Sequence, residues 1–220
     1  TFQEIYNFDN SPFENNLRSK GFWVAPNSYA NYQTSLLSIT STINMSHLLF
    51  LTDKNNINSK DRTLLTHTFN SAKGIQHFKK QGYNYYHSHS CTQFLKYNKL
   101  ADKHFATSTN IFTRFEELNY MFTKETPLYH ISQVLIRIRG KKIINSGYRK
   151  RFKNSILNLK TVHKSEGPFL FFTHLLPPHP PYIFGPNGEN IEGKSEFSFT
   201  GNIWKNKAGY LGTVQYINKQ

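Results

Sequence analysis

The segment that most constrains the fold is an apolar run that passes into a proline-rich loop, between Phe169 and Tyr182. The run Phe169-Leu170-Phe171-Phe172 is typical of a strand that is buried on both faces. Prolines cannot donate to a strand ladder, so the four prolines that follow must end the strand. His174 and His179 lie at this transition. Because open α/β sheets bind ligands where their strands end, we expect these histidines to belong to a functional site.

Predicted helices and strands alternate along the chain, which indicates an α/β fold with a mainly parallel sheet layered between helices. The spacing of turn residues and alternating positions predicts strands over 22–25 and 83–91, in addition to the apolar run. No linker or internal repeat is visible, so we expect a single domain over residues 1–220 that is partial at both ends. Helices are predicted over residues 11–20, 34–45, 63–81, 111–120, 128–138, 149–163 and 210–219.

The charge balance favours an anionic partner. Lysine and arginine number 27 against 13 acidic residues, which gives a formal net charge of +14. Phosphate esters, acidic glycans, anionic lipid headgroups and nucleic acid all fit such a surface. The basic run over residues 137–153 holds few stacking aromatic residues. We interpret it first as a solvated helix face and second as a phosphate or membrane surface; no sequence-specific nucleic-acid binding is expected.

Thr34 is the first candidate for chemistry, because the spacing of Leu36, Ile39 and Ile43 places it at a helix N-terminus. The ordinary interpretation of a hydroxyl there is a helix cap. The functional interpretation is a nucleophile, since a helix N-terminus stabilises both an alkoxide and an anionic ester. A threonine nucleophile also needs a base or a metal ion to ionise it.

The histidines allow two interpretations. His87, His89 and Cys91 share one face of a strand and have the chemistry of zinc ligands. An ordinary alternating strand, with Cys91 as a small hydrophobic residue, explains the same pattern. His174 and His179 suit structural hydrogen bonds, contacts to phosphoryl or sulfuryl oxygens, protonation of a leaving group, or metal binding.

Three segments together resemble the sulfatase-like branch of the alkaline phosphatase superfamily. That branch includes lipoteichoic acid synthases, phosphoethanolamine transferases and related bacterial cell-envelope hydrolases. The segment over 28–45 is similar to the nucleophile segment of the family, and the segment over 172–182 is similar to its histidine loop. Residues 8–22 and the helix over 210–218 follow the family in order, so the resemblance spans nearly the whole chain.

The resemblance implies a metal-dependent phosphotransferase, or a hydrolase of phosphate or sulfate esters. Thr34 is then the nucleophile and His179 a second catalytic residue, while His174 and Asn31 bind substrate. Zinc or manganese is the implied metal, which would ionise Thr34 and offset charge on the transferred group. The implied substrate is an anionic small molecule or a lipid or glycan ester of the bacterial cell envelope, with membrane association through segments outside the chain.

The chain departs from the family pattern at the metal site. The family takes its ligands from a strand that would precede residue 1 and from an Asp-His pair that would follow residue 220. The chain's own aspartates, Asp9, Asp53, Asp61 and Asp102, are never followed by histidine. We therefore expect a partial chain that is inactive by itself, or a core that has lost catalysis. The alternative function is a non-catalytic module that binds polyanionic glycans or lipid headgroups.

Overall fold

A computed structural model describes residues 2–51, 61–90, 93–106, 141–162, 166–180, 182–191 and 206–220. These residues combine helices with a small parallel sheet, which confirms the predicted α/β character. The chain divides into two compact units, and the single domain stays a prediction. We call residues 1–26, 108–156 and 176–220 the terminal unit, and residues 27–107 and 157–175 the sheet unit.

The described chain contains seven helices, three strands and two short 3₁₀ turns. The elements in chain order are α1 (Phe2–Tyr6), α2 (Ser11–Ser19), α3 (Ser35–Asn44), the 3₁₀ turn Leu49–Leu51, α4 (Thr63–Asn70), α5 (Lys73–Lys80), β1 (Asn84–Ser88), the 3₁₀ turn Gln93–Leu95, β2 (Lys103–Phe105), α6 (Lys141–Val162), β3 (Phe169–Phe172) and α7 (Lys207–Ile217).

Strand β1 lies at the centre of the sheet, between β2 and β3, and both pairings are parallel. The register pairs His87 with His104 on one side and with Phe172 on the other. The pairing with β2 continues past β1, because the His89 amide donates to the Phe105 carbonyl at 2.9 Å. All four residues of β3 are only half-buried, so the prediction that this strand is buried on both faces is wrong.

The core of the sheet unit forms where α5 packs on β1. Ala72, Ile75 and Tyr85 are buried there, and Leu170 and Phe172 of β3 pack against them. Helix α3 covers α5 at close range. A Cβ atom at Gly74 would lie 2.5 Å from the Ile43 carbonyl oxygen, so only glycine permits this approach.

Asp102, the residue before β2, ties α5 to both paired strands. Its carboxylate accepts a hydrogen bond from the Tyr85 amide at 2.7 Å and one from the Lys79 ammonium. Burial alone would raise the pKa of Asp102, but the hydrogen bonds from Lys79 and Tyr85 outweigh it and lower that pKa. The Asp102 amide in turn donates to the Tyr85 carbonyl at 2.8 Å, which fixes the start of β2 beside β1.

Two predictions of secondary structure are wrong. The helix predicted over 63–81 is two helices, α4 and α5, separated at Ser71 and Ala72. The break is stabilised from α3, because the buried Asn44 accepts from the Lys73 amide at 3.1 Å at the start of α5. The strand predicted over 22–25 does not form, and Trp23 is 84% exposed. The helices predicted over 111–120 and 128–138 lie outside the described residues.

The terminal unit is organised around an extended buried segment, Tyr182-Ile183-Phe184. The Phe184 ring stacks on Tyr216 of α7 with centroids 4.5 Å apart, and the Phe152 ring of α6 lies 5.1 Å away. The Thr213 hydroxyl donates to the Phe184 carbonyl at 2.9 Å. Helices α6 and α7 therefore hold this segment through one aromatic residue.

Arg149 fixes the turn that follows this segment. Its guanidinium donates to the carbonyls of Ile183, Gly188 and Glu189, and it lies over the Phe184 ring at 4.6 Å. The planar fork of arginine suits several acceptors at once, which a lysine ammonium does not match.

We expect Arg149→Lys to lower the free energy of unfolding by about 2 kcal/mol, because carbonyls in the turn, two of them in part-buried contacts, lose their donors. Urea denaturation followed by circular dichroism measures the change. Arg151→Lys is the matched control on the same helix, and a shift of less than about 0.5 kcal/mol is expected there. Equal effects of the two substitutions would contradict the anchoring role of Arg149.

Candidate active site at the carboxyl edge of the sheet

His174 and Ser90 meet at the carboxyl edge of the sheet. Each lies two residues beyond its strand, His174 after β3 and Ser90 after β1. The Ser90 hydroxyl and the His174 Nδ1 atom are 2.8 Å apart, although the residues are 84 positions apart in sequence. Ser90 is buried and His174 half-buried. Parallel pairing of β1 with β3 brings the two side chains together, because parallel strands end at the same edge.

Two further hydroxyls lie at this edge. Ser88 ends β1 and Thr173 follows β3, and the register that pairs His87 with Phe172 makes them the next pair of positions. Within the described part of the chain, the Ser88 Oγ and Thr173 Oγ1 atoms are buried and have no hydrogen-bond partner. A buried polar atom without a protein partner is usually satisfied by water or a ligand. The edge thus offers two hydroxyls that are able to bind a water or ligand oxygen.

His89 belongs to an aromatic cluster rather than to the pair just described. Its ring lies 4.5 Å from the Tyr97 ring and 5.7 Å from the His104 ring, between centroids. His104 in turn lies 5.7 Å from His87 across the β1–β2 pairing. The three histidines therefore line one face of the β1–β2 pair as packed rings.

His87 is a buried structural residue. Its Nε2 atom donates to the Leu95 carbonyl at 2.9 Å, since a carbonyl only accepts, and its Nδ1 atom accepts from the Tyr85 hydroxyl at 2.9 Å. The ring stacks on Phe172 with centroids 5.0 Å apart. Burial lowers the pKa of His87 to about 4, and the same burial raises the pKa of Tyr85.

The predicted zinc site of His87, His89 and Cys91 is not supported. Both ring nitrogens of His87 are engaged, and Cys91 lies outside the described residues. Across the ranges that the structure describes, no three histidine, cysteine, aspartate or glutamate side chains are grouped as a metal site.

Thr34 lies directly before α3 with extended backbone, φ −96° and ψ 138°, as predicted for a helix N-terminus. Its carbonyl accepts the Ser38 amide at 2.9 Å. Its side chain is exposed and makes no capping hydrogen bond, so the ordinary interpretation as a side-chain cap is wrong. The hydroxyl is thus carried by the residue at the positive end of a ten-residue helix.

The loop before Thr34 is fastened to the far end of α3. The Asn31 amide donates to the Ser41 hydroxyl at 3.0 Å, and the Tyr32 hydroxyl accepts the Leu48 amide at 2.6 Å. Asn31 therefore has a structural role, and its predicted role in substrate binding stays a prediction. Thr34 and His174 both belong to the sheet unit.

His179 belongs to the terminal unit. It closes a turn in which its amide donates to the Leu176 carbonyl at 2.9 Å, with a cis peptide bond between Pro177 and Pro178. Its Nδ1 atom lies 2.6 Å from the Pro180 carbonyl oxygen, so Nδ1 carries a proton. Its catalytic role stays a prediction.

The basic run is divided between roles. Arg149 is a structural anchor, whereas Lys150 and Lys153 on the same helix are exposed as predicted for a solvated face. Arg137 and Arg139 lie outside the described residues. Among the described helices, none has both the length and the apolar character that a bilayer span requires.

Comparison of the chain with protein-family models, with curated proteins and with solved structures gave no match. The resemblance to the alkaline phosphatase superfamily therefore stays a prediction.

Sequence reasoning did not select Ser90, Ser88 or Thr173. Serine and threonine are common at strand ends, and no spacing along the chain links Ser90 to His174. The available signal was the parallel sheet itself, which predicts that residues just after two neighbouring strands lie close together.

The buried His87 makes stability depend on pH. The pKa of His87 is lower in the folded chain than the ordinary value near 6.5. Its contribution to the free energy of unfolding is therefore fully present above pH 6.5 and is lost as the pH falls toward 4. Between pH 7 and pH 5 we expect the free energy of unfolding to fall by about 2 kcal/mol, because the unfolded chain binds a proton at His87 that the folded chain does not. Urea denaturation at both pH values should show that loss in the wild type and a smaller one in His87→Gln. The exposed His67→Gln is the control; equal losses in all three would contradict the assignment.

Removal of the Ser90 hydroxyl should release the His174 ring. We expect Ser90→Ala to shift the Nδ1 resonance of His174 and its titration in nitrogen-15 NMR spectra, because the hydrogen bond to Nδ1 is lost. Ser90→Thr keeps a hydroxyl and should restore much of the wild-type spectrum, and the exposed Ser46→Ala should change nothing. An unchanged His174 spectrum in Ser90→Ala would show that the contact does not position the ring.

Proposed function

We propose that the chain carries the nucleophile and substrate-binding part of a hydrolase or transferase of phosphate or sulfate esters, of the alkaline phosphatase superfamily. Three features support this proposal: the segment resemblance, the parallel sheet with a histidine at its carboxyl edge, and the position of Thr34. The proposal also assigns the chain a specific α/β fold, the layered sheet of alkaline phosphatases.

The position of the Thr34 hydroxyl is the observation that carries the proposal. It is exposed, it begins α3 and it is not used as a cap. Amide groups at a helix N-terminus attract anions, so a phosphate or sulfate group would be drawn toward this hydroxyl. The hydrogen bonds of Asn31 and Tyr32 fasten the loop that precedes Thr34, which restricts the backbone from which the hydroxyl projects.

The proposed reaction has two displacements. The Thr34 oxygen attacks the phosphorus atom, the bond from phosphorus to the leaving oxygen breaks, and the electron pair of that bond leaves with the oxygen. The proton lost by Thr34 balances the proton gained by the departing alcohol. Water or an acceptor hydroxyl then attacks the phosphothreonine and regenerates the Thr34 hydroxyl. The proposal assigns His174, whose Nδ1 atom contacts the Ser90 hydroxyl, the role of hydrogen-bond donor to an oxygen of the transferred group.

The family implies a zinc or manganese ion, but the described residues do not fit one. They bring no set of ligands together, and the described aspartates Asp9, Asp61 and Asp102 each accept hydrogen bonds from other residues of the chain. We therefore assign no step to a metal within this chain. Ionisation of Thr34 remains a requirement of the proposal, so the assay includes zinc and manganese.

The substrate class follows from charge. The net charge of +14 favours an anionic ester, and the resemblance favours lipid or glycan esters of the bacterial cell envelope. A threonine nucleophile favours phosphate over sulfate, because the sulfatases of the family use a modified cysteine or, occasionally, a serine.

In the complete protein, we expect Thr34→Ala to lower turnover of bis(p-nitrophenyl) phosphate at least about a thousandfold, because the attacking atom is lost. Thr34→Ser should keep measurable turnover. p-Nitrophenyl sulfate is tested in parallel, each with zinc, with manganese and with a chelator.

The matched control is Thr42→Ala, a threonine on the exposed side of the same helix whose hydroxyl donates to the Ser38 carbonyl. Equal turnover in Thr34→Ala and Thr42→Ala would remove the nucleophile assignment. Binding of phosphate esters without any turnover in the complete protein would overturn the enzyme proposal in favour of the anion-binding module.

A further inference from the structure

A groove of about 510 Å³ lies between α4 and the segment that precedes β2. Its cationic or titratable side chains are those of Arg62, His67 and Lys99, and Thr66 and Asn70 also line it. It shares no residue with the carboxyl edge of the sheet or with the Thr34 loop. Its volume falls within the range of small-molecule sites.

Hydrogen bonds join the two walls of the groove. The Asn70 side-chain Oδ1 atom accepts the Lys99 backbone amide at 2.9 Å, and the Asn98 side-chain amide donates to the Phe69 carbonyl at 2.8 Å. Both contacts join the end of α4 to the segment at residues 98–99. A preformed site avoids much of the ordering cost of binding.

The Arg62 guanidinium is also held in place. Its Cζ atom lies 4.8 Å from the centre of the Phe94 ring, over the ring face. A cation–π contact uses no acceptor for the guanidinium N–H groups, and two of these groups match two oxygens of a phosphate or sulfate. Fixing an otherwise mobile side chain lowers the entropy lost when an anion binds.

The charged side chains that line the groove are positive. No carboxylate is among the described residues that line it. Asp61, the nearest carboxylate in sequence, accepts the Thr63 amide at 2.8 Å and the Thr63 hydroxyl at 2.6 Å, which caps α4. Arg62 and Lys99 thus face the groove without an acidic group lining it, and the field there favours an anion.

We propose that this groove is a second anion-binding site, for a small ligand that carries a phosphate or sulfate group. Arg62 binds the group through two N–H donors, and Lys99 supplies the second charge. The site goes beyond the proposed ester chemistry and does not depend on it, since neither Thr34 nor His174 takes part.

The test uses pyrophosphate and inorganic sulfate as probes, with NMR titration of the whole chain at physiological ionic strength. We expect the probes to shift the Arg62 side-chain resonance and the Lys99 amide. Arg62→Gln and Lys99→Gln should each weaken binding about tenfold, because a charge-assisted contact is lost. Lys80→Gln is the control, an exposed lysine on α5 of the same unit, and should bind as the wild type does.

Two outcomes would overturn the proposal. One is an unchanged affinity in Arg62→Gln; the other is an equal loss in Lys80→Gln, which would indicate general counter-ion attraction. Thr34→Ala should keep the Arg62 and Lys99 shifts, so failure of the ester proposal leaves this test intact.

Discussion

The parallel pairing of β1 with β3 is the contact on which the candidate active site depends. It places the residues after two distant strands at one edge, so Ser90 meets His174 across 84 positions of sequence. The same register makes Ser88 and Thr173 neighbouring positions with buried hydroxyls. Helix α5 packs on Tyr85 of β1, and Asp102 accepts hydrogen bonds from Lys79 of α5 and from the Tyr85 amide. These contacts fix β1 and therefore the carboxyl edge that follows it.

Burial separates the roles of the histidines. His87 lies inside the core, and burial lowers its pKa, so the ring is neutral. Both of its ring nitrogens make hydrogen bonds within the fold, which gives it a structural role. His174 lies past the end of its strand, half-buried, with one nitrogen directed to Ser90. The structural His87 therefore lies within β1, whereas the candidate functional His174 follows the carboxyl end of β3, where a parallel sheet binds ligands.

Local signals in the sequence predicted the features that depend on local geometry. The position of Thr34 at the start of α3 follows from residue type and periodicity. Contacts between distant segments were not predictable in this way. The break between α4 and α5 depends on Asn44 of another helix, and the role of Arg149 depends on a turn that returns to it from residues 183–189. Ser90 was missed for the same reason, since its partner is set by strand pairing.

In the proposed function, the Thr34 hydroxyl takes up the transferred group, at the start of a helix in the unit that carries the His174 edge. Rapid acid quenching of the complete protein during turnover of a phosphate ester, followed by peptide mass spectrometry, tests that claim most directly. We expect one phosphoryl group on the peptide that contains Thr34, assigned to Thr34 by fragmentation. A phosphoryl group on another residue, or continued turnover with no phosphorylated peptide, would contradict it.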